Sequence, residues 1–214
     1  MPAFERALAV GADGVELDVH PSRDGVAIVF HDETLERLAP GDARPLAAVD
    51  ADELTDLRLV ADHRMPRLAE VLDLLLGRVE INIEIKDAAA LGPVLAVLPA
   101  RPDGVLLSSF DLRAVRAAAE RAPHIRRAAI MGDPSLDPRV RVREAWPLFA
   151  LREARADAWH PHHALVRRRL VAALHRRGIA VNVWTVNDPA LAERLAAVGV
   201  DGVFTDHPER LRGA

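Results

Sequence analysis

Along the chain, short apolar runs alternate with longer stretches in which apolar residues recur every three or four positions. The short runs at 14–19, 26–30, 79–85, 104–108, 125–130, 156–160, 179–184 and 201–204 read as β-strands. The longer stretches near 3–10, 51–58, 67–76, 88–98, 111–121, 164–177 and 188–197 carry the helical period. Asp50 and Asp52 stand before one helix start and Asp111 before another. Asn187-Asp188-Pro189 joins a capping residue to a proline in the first turn. Strands separated by helices point to βαβ units and a parallel sheet. One hairpin is expected, because Ser22-Arg23-Asp24-Gly25 reads as a tight turn into 26–30. Nothing resembling a linker divides residues 1–214, which read as one domain. Repeated strand–helix units without a nucleotide-type Gly-rich loop favour an α/β fold of the (β/α)8 TIM-barrel type. The pattern opens on a helix, so the barrel's first strand is expected to be missing.

Composition excludes several classes of function. The 28 basic and 32 acidic residues give a net charge of −4, which removes charge-driven nucleic-acid binding as the default. No apolar run reaches the length of about 18 residues that a membrane span needs, and residues 1–10 lack the apolar segment of a signal peptide. A soluble, cytoplasmic protein is therefore expected, with its oligomeric state open. With no Cys, disulfides, thiolate metal sites and Cys nucleophiles are excluded. Of the 28 basic residues only Lys86 is Lys. An ammonium kept where every other cation is a guanidinium is a candidate for specific chemistry.

Candidate chemistry sits at strand positions. In Val15-Glu16-Leu17-Asp18-Val19, period-two alternation puts Glu16 and Asp18 on one face and three aliphatics on the other. In Glu80-Ile81-Asn82-Ile83-Glu84-Ile85-Lys86 the same argument groups Glu80, Asn82, Glu84 and Lys86. Glu84 and Lys86 fall at the C-terminal end of that strand, where barrel active sites form, whereas Glu80 falls at the other. Glu16, Asp18 and Glu84 make an all-oxygen donor set suited to one hard divalent cation, Mg²⁺ or Ca²⁺. Strand-end capping remains the bland alternative for the first pair, and a plain ion pair with Glu84 for Lys86. His31, directly after the apolar run Ile28-Val29-Phe30, is placed to act as a general acid or base.

Other features carry less. His160, His162 and His163 read as a polar loop cluster rather than a second metal site. Arg167-Arg168-Arg169 reads as the solvated face of a helix, and Asp206 as the N-cap of the last one. Trp159 and Trp184 stand at strand ends, where core packing is the ordinary role.

An ordered set of motifs resembles the glycerophosphodiester phosphodiesterase family. It comprises Gly11-Ala12-Asp13-Gly14-Val15-Glu16-Leu17-Asp18-Val19, Asp24-Gly25, His31-Asp32, Asn82-Ile83-Glu84-Ile85-Lys86, Ser109-Phe110, Val183-Trp184-Thr185-Val186-Asn187 and the closing run 199–208. The resemblance implies a (β/α)8 barrel that hydrolyses glycerophosphodiesters to glycerol 3-phosphate and an alcohol, with a divalent metal. It assigns Glu16, Asp18 and Glu84 to the metal, His31 to one of two acid/base histidines, Lys86 to the phosphate region and Trp184 to the substrate pocket. The family mechanism includes a route in which the glycerol 2-hydroxyl attacks first and water opens the resulting cyclic phosphate. A phosphodiester also needs charge neutralisation with an acid and a base on opposite sides of phosphorus.

The sequence departs from the family at its beginning. The family's His-Arg-Gly strand and Pro-Glu-Asn-Thr motif are absent, and Met1-Pro2-Ala3-Phe4 matches the stretch after them. The second acid/base His and a phosphate-binding Arg are thus expected to be missing, through truncation or a misassigned start. Two outcomes follow: a metal-dependent phosphodiesterase, or an impaired barrel that binds metal and phosphate without turnover.

Overall fold

The computed structural model describes residues 1–37, 39–57, 64–132 and 138–211. They form two compact units, 1–107 and 108–214.

The first unit opens on helix α1 (Pro2–Val10), which has proline in its first turn and ends at Gly11. Strand β1 (Gly14–Pro21) and strand β2 (Ala27–Val29) pair antiparallel with Val19 opposite Val29. Their turn closes through Gly25 N–H donating to the Ser22 carbonyl at 3.1 Å. Gly25 takes φ +78°, a left-handed conformation that a Cβ disfavours. The expected hairpin is therefore present. After helices α2 (Ala51–Asp56) and α3 (Leu68–Leu75), strand β3 (Glu80–Ile85) runs parallel to β1. Helix α4 (Leu91–Val97) and strand β4 (Val105–Ser109) follow, giving the order β2-β1-β3-β4. Leu68, Val71, Leu72 and Leu75 bury one stripe of α3. Ile28, Leu35, Leu46, Leu54 and Met65 form a second buried cluster in this unit. Each such side chain contributes roughly 1.5–3 kcal/mol by leaving water.

The second unit repeats the alternation. Helix α5 (Leu112–Arg121) precedes strand β5 (Arg126–Met131), and helices α6 (Pro138–Ala145) and α7 (Leu148–Ala154) precede strand β6 (Ala158–Pro161). Helix α8 (Arg168–His175), strand β7 (Ala180–Val183), helix α9 (Pro189–Val198), strand β8 (Gly202–Val203) and helix α10 (Pro208–Leu211) complete it. Strands β5, β6, β7 and β8 pair in that order, all parallel. Their core gathers Trp159, Leu151, Leu170, Val171, Leu174, Val181 and Val183. Apart from the hairpin strand β2, the strand–helix order is that of a (β/α) barrel.

Several local expectations need correction. The sequence pattern gave no helix over 138–154, where α6 and α7 stand. Apolar Val142, Trp146 and Phe149 are exposed here, while α7 buries Ala150, Leu151 and Ala154, so apolar residues fall on both sides and blur the helical period. The expected helix at 88–98 is a 3-10 turn over Ala88–Ala90 leading into α4, and 164–177 begins as a 3-10 turn over His163–Leu165. Asp111 and Asp188 do cap α5 and α9, accepting from Arg113 N at 2.9 Å and Ala190 N at 3.0 Å. Asp50 instead pairs with the Arg23 guanidinium, which competes for its carboxylate. Asp206 accepts from Asn187 Nδ2 at 2.8 Å and does not cap the last helix. The end of the 51–58 stretch falls partly on residues outside those described.

Candidate active site

In the first unit, the parallel register sets Glu16 opposite Asn82 and Asp18 opposite Glu84. Alternation then turns Glu16, Asp18, Asn82 and Glu84 to one face. One carboxylate oxygen from each of Glu16, Asp18 and Glu84 lies within 4.8 Å of the others, as the sequence pattern anticipates. Lys86 Nζ reaches Asp18 Oδ1 at 2.9 Å and Glu84 Oε1 at 2.6 Å. Lys86 is thus ion-paired to two carboxylates rather than to Glu84 alone. Three carboxylates against one ammonium leave an excess of negative charge.

That excess shows in the titration of the groups. The Glu16 carboxyl is pushed up to about 8, by burial first and then by the neighbouring Asp18 and Glu84 carboxylates. Glu16 is exposed by surface area, so water reaches it, and the two carboxylates are the firmer cause of the rise. Burial also raises Glu84, and Lys86 opposes that rise. Burial alone would lower Lys86, but its contacts with Glu84 and Asp18 outweigh it and hold the ammonium above its usual range. The donor set fits a hard divalent cation, and one buried atom supports the fit. Asn82 Oδ1 is buried without a hydrogen-bond partner, and an amide oxygen is a ligand type for such ions.

The sequence reading singled out His31 but gave no role to its neighbours. His31 is exposed, and its Nδ1 lies 2.6 Å from Asp32 Oδ1. Arg37 and His31 together hold the Asp32 carboxyl below its usual range. With Nδ1 engaged by a carboxylate, Nε2 is the nitrogen positioned to exchange protons. His20 continues the face of Glu16 and Asp18, is buried, and places Nε2 3.2 Å from the His31 carbonyl. It ties the end of β1 to the His31 segment. Counting on from Glu16 and Asp18 in steps of two would have found His20, as the same count around Glu84 grouped Asn82 with it. Glu80 is exposed at the opposite end of β3.

The second unit holds a different polar cluster. His160 is buried at 1% exposure, which overturns its reading as polar surface. Asn182 Nδ2 meets its Nε2 at 3.2 Å, and Phe204 packs edge-on with ring centroids 4.9 Å apart. Burial pushes the imidazole down to about 3. His162 and Phe110 pack edge-on against the Trp184 ring at 5.2 and 5.7 Å. Trp184 Nε1 donates to the His160 carbonyl at 2.9 Å. Gly132 sits under this group, where a Cβ would fall 2.3 Å from His162 Cβ. Trp159 is fully buried core, and Arg167-Arg168-Arg169 are exposed. The three histidines 160, 162 and 163 form no metal-binding group among the described residues.

Carboxylates gathered beside an ammonium on parallel strands of a β/α framework stand where such folds build their active sites. A sequence model of the Glycerophosphoryl diester phosphodiesterase family matches residues 1–210. The chain belongs to that family of phosphoric diester hydrolases. It is 31% identical over 224 residues to a glycerophosphodiester phosphodiesterase of Caldanaerobacter subterraneus, covering 98% of this chain and 88% of the relative. A probable glycerophosphodiester phosphodiesterase 2 of Mycobacterium tuberculosis is 32% identical over 231 residues, covering 99% and 83%. The crystal structure of a putative glycerophosphoryl diester phosphodiesterase from Silicibacter pomeroyi superposes with a TM-score of 0.85 at 28% identity, covering 98% of this chain and 85% of that one. An Oleispira antarctica phosphodiesterase, solved with the product sn-glycerol-3-phosphate, gives 0.82 at 25% identity, covering 98% and 87%. Among the described residues no helix is long and apolar enough to cross a membrane.

Proposed function

We propose that this protein hydrolyses glycerophosphodiesters to glycerol 3-phosphate and an alcohol, with one Mg²⁺ or Ca²⁺ held by Glu16, Asp18 and Glu84. The observation that carries this reading is the convergence of three carboxylate oxygens within 4.8 Å beside a single ammonium. A bound cation supplies charge neutralisation for the phosphate oxygens. The chain's own residues do the rest. Lys86 uses two contacts on Asp18 and Glu84, and an ammonium has three donors, so one remains for a phosphate oxygen. His31, oriented by Asp32 through Nδ1, exchanges a proton with the reacting oxygen at Nε2. Trp184, half-buried between Phe110 and His162, is assigned to the organic part of the substrate.

A second reading, binding of metal and phosphate without turnover, is favoured by one observation. Among the described residues of the first unit, His31 is the one exposed imidazole, because His20 is buried against the His31 carbonyl. One imidazole gives an acid or a base, while diester hydrolysis uses both.

The deciding experiment measures glycerol 3-phosphate release from a glycerophosphodiester in Mg²⁺ or Ca²⁺, beside calorimetric cation binding. Turnover by the wild type, reduced about 10²–10⁴-fold in His31→Ala, is the expected result. Glu84→Gln is expected to lose both cation binding and turnover. Cation binding that is unchanged in Glu84→Gln refutes the metal assignment. Cation binding without any turnover by the wild type establishes the second reading instead.

A further inference from the structure

The helix pair that the sequence pattern did not reveal carries a surface that phosphodiester chemistry does not use. Between α6 and α7 the chain turns at Trp146-Pro147. From this corner Val142, Trp146 and Phe149 project with 70%, 60% and 72% of their surfaces exposed. They border a groove of about 550 Å³ shared with α5. Exposed apolar residues clustered in this way mark an interaction surface, whereas single ones do not. The groove's charged lining consists of Arg113, Arg116, Arg139 and Arg143 against the lone acid Glu153. The lining's four arginines outnumber its one acid on a molecule of net charge −4, and two of them, Arg113 and Arg116, also pair with Asp111 and Glu120 at 3.2 and 3.1 Å. Arg143 Nε is buried there with no hydrogen-bond partner, a donor suited to an anion.

We propose that this corner docks the protein onto anionic phospholipid membranes. Trp146, Phe149 and Val142 enter the boundary between head groups and acyl chains, and the arginines meet lipid phosphates. Three observations favour a lipid surface over other occupants. The apolar side chains stand out from the protein, so they suit a soft interface that closes around them. Trp and Phe flanked by Arg is the composition of interfacial anchors. A second copy of this chain would set the arginine rim against its own image in a two-fold contact, and like charges would face each other. The proposal is independent of the phosphodiester reading, and its readout is binding alone.

The test is sedimentation of the full chain with vesicles of phosphatidylcholine, without and with phosphatidylglycerol. The wild type is expected to sediment only with the phosphatidylglycerol vesicles, and less so as salt rises. The Trp146→Ser/Phe149→Ser double variant is expected to bind at least about tenfold more weakly. Arg113→Glu is expected to weaken binding about fivefold or more, because one basic residue near an anionic surface is worth roughly that factor. Tryptophan emission is expected to shift to shorter wavelength on vesicle addition, and brominated lipid is expected to quench it. Loss of both signals in Trp146→Phe assigns them to that ring, and the fluorescence test stands even if the double variant fails to fold. Absence of sedimentation with phosphatidylglycerol overturns the proposal, as does a double variant that binds like the wild type. Two further results overturn it: a dimer in ultracentrifugation that the double variant abolishes, or capture by poly-glutamate with no binding to vesicles.

Discussion

Two buried polar groups, one in each unit, respond to the same force in opposite ways. At the C-terminal end of β3, loss of water pushes the buried Glu84 carboxyl toward its neutral form. Around His160, loss of water pushes an imidazole toward its neutral form, down to about 3. Burial always disfavours the charged state, and the sign of the pKa shift depends only on which protonation state carries the charge. What separates the two groups is compensation. The carboxylates have Lys86 beside Asp18 and Glu84, with more negative charge than it can balance. His160 has Asn182, a neutral partner. One cluster has the donor set of a cation site. The other is built to stay uncharged.

The sharpest break of this contrast is Lys86→Met. Removing the ammonium leaves Glu84 and Asp18 uncompensated, and breaking such a buried pair commonly costs about 3–5 kcal/mol. We expect a melting temperature well below wild type without divalent cation at pH 8, and partial recovery when Mg²⁺ or Ca²⁺ is added. A Lys86→Met protein as stable as wild type in chelator would show that the carboxylates need no internal counter-charge.

The imidazole side of the contrast predicts an acid limb. The unfolded chain protonates His160 near its ordinary 6.5 and the folded chain only near 3, so between these values the unfolded state binds more protons. Stability therefore rises with pH in that window, and it falls by up to about 1.4 kcal/mol per unit as pH drops below 6.5. His160→Gln keeps an acceptor for Asn182 and cannot charge. Its stability curve, measured by urea unfolding from pH 7 to 4, should be flatter than wild type. Parallel curves would place the acid sensitivity elsewhere.

The smallest expected effect lies outside both clusters and calibrates them. Asp188→Ala removes the acceptor for Ala190 N at the start of α9 and should cost about 1 kcal/mol. That loss should not depend on cation or on pH between 6 and 8, unlike the other two.

Much of this was legible from local pattern. Alternation in Val15–Val19 and Glu80–Lys86 put the carboxylates on one face, and the parallel register made them meet. Asp111 and Asp188 announced their caps because a cap is satisfied within two residues. Asp50 and Asp206 were misread because their partners, Arg23 and Asn187, lie 27 and 19 residues away. The same distance effect hid His160. A histidine in a polar-looking loop pattern is surface or core according to what packs over it, and Phe204 arrives from 44 positions later.

By itself, then, the sequence determined the strand–helix alternation, the hairpin turn at Ser22–Gly25 and the face that carries Glu16, Asp18 and Glu84. These follow from side-chain period and backbone preference, which act over a few residues. Tertiary structure alone decided that Lys86 spans two carboxylates from different strands, that His20 is buried against the His31 carbonyl, that His160 is dry, and that Val142, Trp146 and Phe149 stay in water. Those outcomes depend on solvent exclusion by segments distant in the chain, and no local pattern carries that information.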